Sequence, residues 1–339
     1  MTTPDALTEA RSLSAEFGEA LANHAAMVLQ AQARLGGSEA DARRFLDAYR
    51  ASTGLGPIAP ATRAISREDW TAQLGDRGAE AAYRAFFRAE LLRLGSADSL
   101  QRTYLPALLP GIAASALHAL MRLAYANDAG DAGEVAQSLG YWAATFLPLG
   151  QGLGGPPVTE DPVGVLLRVA AEPSLTAMTF DPEGLLWHAM RSSAAMPAFA
   201  PVFDWLEVTP DTLRRIARDS LAVFAATMEF CALHALTGTH WLRLILPVLD
   251  AQDQARAIRF FWQAIASVYP KMGCPAPLSP AEAERLRRLP APEWAAIAAA
   301  ACVSNDEHDI SLVYSARCEE AVWGDRLYRV VAARRVGLG

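Results

Sequence analysis

The residues of this chain best suited to chemistry are its six histidines, His24, His118, His188, His234, His240 and His308. Neutral imidazole is the most frequent metal ligand, and it readily takes and gives protons near neutral pH. Four of the six lie in apolar surroundings: His24 in ANHAAMVL, His118 in ASALHALMRLAYA, and His234 and His240 in LHALTGTHWLR. A charged imidazole would lose its hydration there, so each ring needs a partner once buried. The plain expectation for any one of them is a core histidine bonded to a backbone carbonyl or hydroxyl. Four together weaken that expectation, because facing helices of a bundle core are a usual place to build a metal site. The spacing permits such a site and leaves the core reading open.

The remaining candidates have plainer alternatives. His188, in GLLWHAM, follows a loop and is expected to be structural or partly exposed. His308 follows the acidic pair Asp306-Glu307 and is balanced between helix-cap partner and site residue. Lys271 is the only lysine among 30 basic residues. It reads either as an exposed helix-end cation or as a buried base able to carry a carbamate that ligates metal. No HExxH, EF-hand loop, GxGxxG after a strand, P-loop or GxSxG occurs, which removes the common zinc-protease, calcium, dinucleotide, nucleotide and α/β-hydrolase readings. No glutamate precedes any histidine by three residues, which disfavours a carboxylate-rich di-iron centre.

Helices must position these side chains. Three- and four-residue apolar spacing dominates, and no alternating β-branched runs lie between turn signals, so the class is all-α, a large multi-helix bundle. A first helix is predicted from Pro4 to Leu35, with Phe17, Leu21, His24, Val28 and Ala31 on one stripe, stopping at Gly36-Gly37. Ser38 caps a second helix to Tyr49, followed by the punctuated loop STGLGPIAPATRAIS. Further helices fit Gly78–Leu94, Leu108–Ala126 and Ala132–Leu147. A long helix is expected from Thr209 to Leu236, broken by Thr237-Gly238-Thr239 so that His240 opens the next. Helices over Gln252–Tyr269, Pro280–Arg288, Pro292–Cys302 and His308–Arg334 complete the chain. The stretch PLGQGLGGPPVTEDPVG, near 148–163, is a hinge or surface loop within a single domain covering 1–339.

Composition bounds the partners. A chain 52% hydrophobic and 20% charged has enough apolar side chain for a deep core. A net charge of −7 without an arginine-rich stripe disfavours nucleic acid. The longest apolar stretches are interrupted by proline, glycine and histidine, so no membrane span is expected. Four scattered cysteines, without CxxC and behind an acidic N-terminus, suggest buried thiols in a reducing cytoplasm. The apolar helices leave room for a homodimer interface.

NHAAM, YLPALLPGIAASALHALMRLAYA, LGYWAATF, VFDWL, LHALTGTHWLR, NDEHDISLVYSA and GDRLYRVVAA, in this order, resemble the questin oxidase-like family from about His24 to Ala333. The resemblance implies an oxidoreductase that opens or oxidises an aromatic ring with O2, using a mononuclear iron held by histidines and a carboxylated lysine. It implies His24, His118, His234 and His240 as Fe(2+) ligands. Relatives carry a lysine three residues after the histidine matching His308, where this chain has Ser311. Lys271 could supply the fifth ligand if the fold brings it to the metal; otherwise His308 or water fills the place. The proline expected after Asn23-His24 is an alanine here.

The leading expectation is therefore a non-haem Fe(II) oxygenase acting on a polycyclic phenol or quinone. A second is a metal-free, NAD(P)H-using Baeyer–Villiger-like oxidase with a histidine base, against which the missing dinucleotide fingerprint counts. A third is a non-enzymatic helical protein that holds an apolar metabolite, favoured if the purified protein retains no metal.

Overall fold

The computed structural model describes residues 5–276 and 278–339. Among them the chain is all-α apart from one two-stranded hairpin. It opens with α1 (Ala6–Arg11), then β1 (Glu16–Phe17) antiparallel to β2 (Leu21–Ala22), then α2 (Ala25–Leu35) and α3 (Glu39–Thr53). Next come α4 (Glu80–Leu94), α5 (Ala97–Leu108), α6 (His118–Ala129) and α7 (Ala132–Ala144). After an irregular stretch come α8 (Pro162–Ala170) and the short α9 (Pro173–Thr176), α10 (Leu186–Ala194) and α11 (Val202–Trp205). The last third holds α12 (Thr212–Thr227), α13 (Phe230–Ile245), α14 (Ala251–Val268), α15 (Pro280–Arg287), α16 (Trp294–Val303), α17 (Glu307–Trp323) and α18 (Leu327–Arg335).

At the centre, α13 packs against α6, α12 and α17, while α2 packs against both α6 and α17. Trp142, Trp241, Trp262, Tyr125, Tyr141 and Phe224 are fully buried, so most of the large aromatic residues serve as core. Cys231 and Cys302 are buried free thiols. The segment from 148 to 161 is irregular but tied down: the Leu153 amide donates to Asp204 Oδ2 at 2.6 Å, and Gln263 donates to the Leu149 carbonyl at 3.1 Å. Helices from both sides of it, α6 and α13, pack together. No helix among the described residues is long and apolar enough to cross a membrane.

Four expected elements differ. The predicted first helix is two helices separated by the hairpin, where Gly18 and Ala20 adopt positive φ, so Phe17, Leu21 and His24 do not share a helical stripe. The helix expected over Leu108–Ala126 begins only at His118, since Leu108 ends α5 and Ser115, Ala116 and Leu117 form a left-handed run. The break expected at Thr237-Gly238-Thr239 lies instead at Met228, which adopts φ 51°, and α13 continues straight through the glycine. Gly238 is a packing residue: a Cβ there would lie 2.7 Å from the Phe261 ring. The last predicted helix is split at Gly324 into α17 and α18, and the start of that helix at Glu307 agrees with expectation.

Candidate metal centre

Four histidines meet where four helices begin. His24 is the N-cap of α2, His118 the first residue of α6, His308 the second residue of α17, and His234 lies one turn into α13. Side-chain caps set three of these helix starts. The Asn23 side chain accepts from the Ala25 amide at 2.9 Å, and the Glu229 carboxylate accepts from the amides of Cys231 and Ala232. Asp306 accepts from the His308 amide at 2.9 Å. These side-chain caps satisfy orphan amides and fix where α2, α13 and α17 start, whereas α6 begins after the left-handed Leu117 without a side-chain cap.

The rings are close. His24 lies edge-on to His118 with centroids 4.4 Å apart, and 5.0 Å from His308. His234 lies 5.5 Å from His118 and 5.9 Å from His308. Nitrogen atoms of His24, His118 and His308 fall within 4.8 Å of one another, near enough to hold one ion. Phe230 stands edge-on to both His234 and His308, at 4.8 and 4.9 Å, and is itself 47% exposed, so an aromatic ring separates the cluster from solvent there.

In each ring Nδ1 is engaged. His24 Nδ1 is 3.0 Å from the Ala22 carbonyl, His118 Nδ1 is 2.5 Å from the Ser115 carbonyl, and His234 Nδ1 is 2.9 Å from the Phe230 carbonyl. His308 Nδ1 is 3.1 Å from Asp306 Oδ1. A carbonyl can only accept, so His24, His118 and His234 donate from Nδ1 and keep the lone pair on Nε2. Nε2 of His24 and of His308 is buried without a hydrogen-bond partner. Burial pushes the His24 and His234 pKa values well below the usual imidazole range, and neighbouring histidines push the same way. Burial takes His118 down to about 4 despite its bond to the Ser115 carbonyl. Neutral imidazoles with fixed tautomers and unpaired lone pairs are what a divalent cation requires, so these residues fit a metal.

Of the six residues expected at a metal, the structure brings His24, His118, His234 and His308 together. His240 does not join them. Because α13 is continuous, His240 is six residues beyond His234, about 240° around the helix axis. Its ring contacts are Tyr125 and Tyr314, and its Nδ1 lies 2.9 Å from Glu319 Oε1, a fully buried carboxylate that also accepts from Arg243 and Trp323. Its Nε2 is buried without a partner too, but it sits apart from the other rings. Lys271 reaches the Asp181 carbonyl at 3.2 Å and lies over the Phe180 ring, in a small cleft shared with His188. Ser311 is buried and lies 3.3 Å from the Tyr125 hydroxyl. The sole lysine of the chain is thus not at the cluster. Besides Asp306, the acid beside the cluster is Glu307, whose Oε1 is 3.7 Å from His24 Nδ1 and 3.9 Å from His308 Nδ1. Burial raises its pKa.

Sequence reasoning missed Ser115, Glu16, whose carboxylate accepts from the Ser115 hydroxyl, and the shielding role of Phe230. Ser115 acts through its backbone carbonyl, which no residue type betrays, and Phe230 looks like any core aromatic until the break at Met228 is known.

An all-helical fold that gathers four histidines at its helix starts defines a class of helical proteins fitted to hold a metal. The chain belongs to the questin oxidase-like family, whose profile matches residues 21–316, and is therefore an oxidoreductase by family. No curated protein matches it.

Proposed function

We propose that the chain is a mononuclear non-haem iron oxygenase, in which His24, His118, His234 and His308 hold Fe(II) through Nε2 and O2 is used on a phenolic or quinone-type aromatic substrate. The observation that carries the reading is the shared arrangement of the rings: Nδ1 engaged in all four, with the buried Nε2 atoms of His24 and His308 left without partners. Iron(II), when bound, supplies the activation of dioxygen that no side chain of the chain can provide.

The protein's own part is to bind, orient and exclude water. The Nδ1 bonds hold each ring at a set angle. Phe230 shields the cluster on its open side and offers an aromatic edge to a flat substrate. Three of the four histidines lie within the first two positions of a helix or at its cap, where backbone amides carry positive partial charge. That potential, added to a cation, favours an anionic guest such as a phenolate. Glu307 and Asp306 supply the negative charge that a lysine carbamate would otherwise bring.

The test is elemental analysis of full-length protein purified without a histidine tag, beside His118→Ala and His308→Ala, with oxygen uptake measured on hydroquinone-type substrates. The expected result is stoichiometric iron and oxygen uptake in the parent and loss of both in each variant. Metal-free parent protein that still consumes oxygen with NADPH, or variants that keep their iron, would overturn the proposal.

A further inference from the structure

The left-handed run at Ser115, Ala116 and Leu117, with φ of 47°, 56° and 73°, is unusual because none of the three is glycine. Each such residue costs roughly 1–2 kcal/mol, so three in a row persist only where other contacts over-determine them. Ser115 supplies the main one: its hydroxyl donates to Glu16 Oε1 at 2.6 Å. Glu16 in turn accepts from Arg77 Nε at 2.7 Å and is largely shielded from water on β1. The same Ser115 presents its carbonyl to His118 Nδ1 at 2.5 Å. The partner strand β2 ends at Ala22, whose carbonyl holds His24 Nδ1 at 3.0 Å. One hairpin therefore touches the orienting bonds of two of the four rings.

We propose that the β1–β2 hairpin is the element that presets the metal centre, and that Glu16 is a positioning residue for His118, acting through the Ser115 hydroxyl and the left-handed turn. The inference rests on the metal-centre reading for its purpose, while the geometry it invokes exists in the metal-free protein. Glu16 touches no reacting atom. It fixes which carbonyl faces the His118 ring, and so which ring nitrogen keeps the lone pair. The competing account is an ion pair with Arg77 that only adds stability. The two differ in what a glutamine would do. In the Glu16→Gln variant the side chain would still offer Ser115 a carbonyl acceptor at the same reach but would no longer be a charged partner for Arg77.

The experiment compares Glu16→Gln, Glu16→Ala and Ser115→Ala in the full chain. Co(II) is titrated in competition with a chelator, its visible absorption band is recorded, and ¹⁵N-labelled histidine spectra of the metal-free proteins report the His118 tautomer. Glu16→Gln should stay close to the parent, whereas Glu16→Ala and Ser115→Ala should lose about 10–100-fold in Co(II) affinity, shift the band and mix the His118 tautomers. Parent-like affinity, band and tautomer in Glu16→Ala, or a loss in Glu16→Gln as large as in Glu16→Ala, would overturn the proposal. Should Glu16→Ala not fold, Ser115→Ala is read in its place. A parent protein that takes up no cobalt would sink the metal-centre reading alone, since the tautomer spectra still decide the positioning role.

Discussion

His24 and His118 stand edge to face, their ring centroids 4.4 Å apart and their planes at 83°, although one caps α2 and the other opens α6. Two imidazoles this close and this dry cannot both carry protons without a large electrostatic cost. The neutral state is therefore a property of the fold itself, present before any metal arrives.

That property has a pH signature in the metal-free protein. Burial depresses the folded-state pKa of His24, His118 and His234, with His118 near 4, whereas the unfolded chain protonates at ordinary imidazole pH. Below about pH 6.5 the unfolded state binds more protons than the folded one, so stability is lost as pH falls from there toward the folded pKa. For His118 alone the loss is roughly 3 kcal/mol by pH 4. Urea unfolding at pH 7, 6 and 5 should show a steady fall, made shallower by His118→Gln. A flat profile across that range would contradict neutral, buried rings.

Separate placement of His240 and Lys271 makes a second expectation. His240→Gln should keep the metal content of the parent while lowering stability by about 1–3 kcal/mol, because it disturbs the bonds around a fully buried Glu319. Lys271→Ala should change neither, since it removes only a contact to the Asp181 carbonyl and the Phe180 ring. Melting temperature and bound metal, measured on the same samples, separate the two. Loss of metal in either variant would place that residue at the centre.

Gly238 gives a third. Alanine ordinarily favours a helix interior over glycine by about 1 kcal/mol. Here its Cβ would lie 2.7 Å from Phe261 Cε2 and 3.4 Å from Leu117, at the end of the left-handed run. Overpacking of that kind costs about 1–3 kcal/mol, so Gly238→Ala should lower the melting temperature despite its better propensity. A raised melting temperature would show that the helix contact at Phe261 yields easily.

The helical class is legible in the sequence because apolar spacing of three and four residues repeats through most of the chain, and the histidine-bearing segments point to the right elements. Where the sequence misleads, the cause is tertiary. Gly238 reads as a helix stop, yet a small residue is equally what lets α13 approach α14, and only the packing tells the two apart. The same misreading moves His240 toward the site and splits it from its own helix. The run at Ser115–Leu117 contains no glycine or proline, so nothing local announces it; its conformation is tied to Glu16, distant in sequence. His308 is legible as a helix-cap neighbour through Asp306, and its second role becomes visible only when α17 meets α2.

The four clustered histidines lie at the beginnings of α2, α6, α13 and α17, so the first and last are separated by most of the polypeptide. A ribosome must therefore have delivered nearly the entire chain before the cluster can close. Contacts between such distant segments form late, after their loop-closure entropy has been met by packing elsewhere. During synthesis each histidine stands alone, a weak ligand for any passing ion, and only completion of α17 gathers them. The cluster thus works as a readout of finished folding: a truncated or misassembled chain lacks it, and any ion it holds is captured by the mature fold.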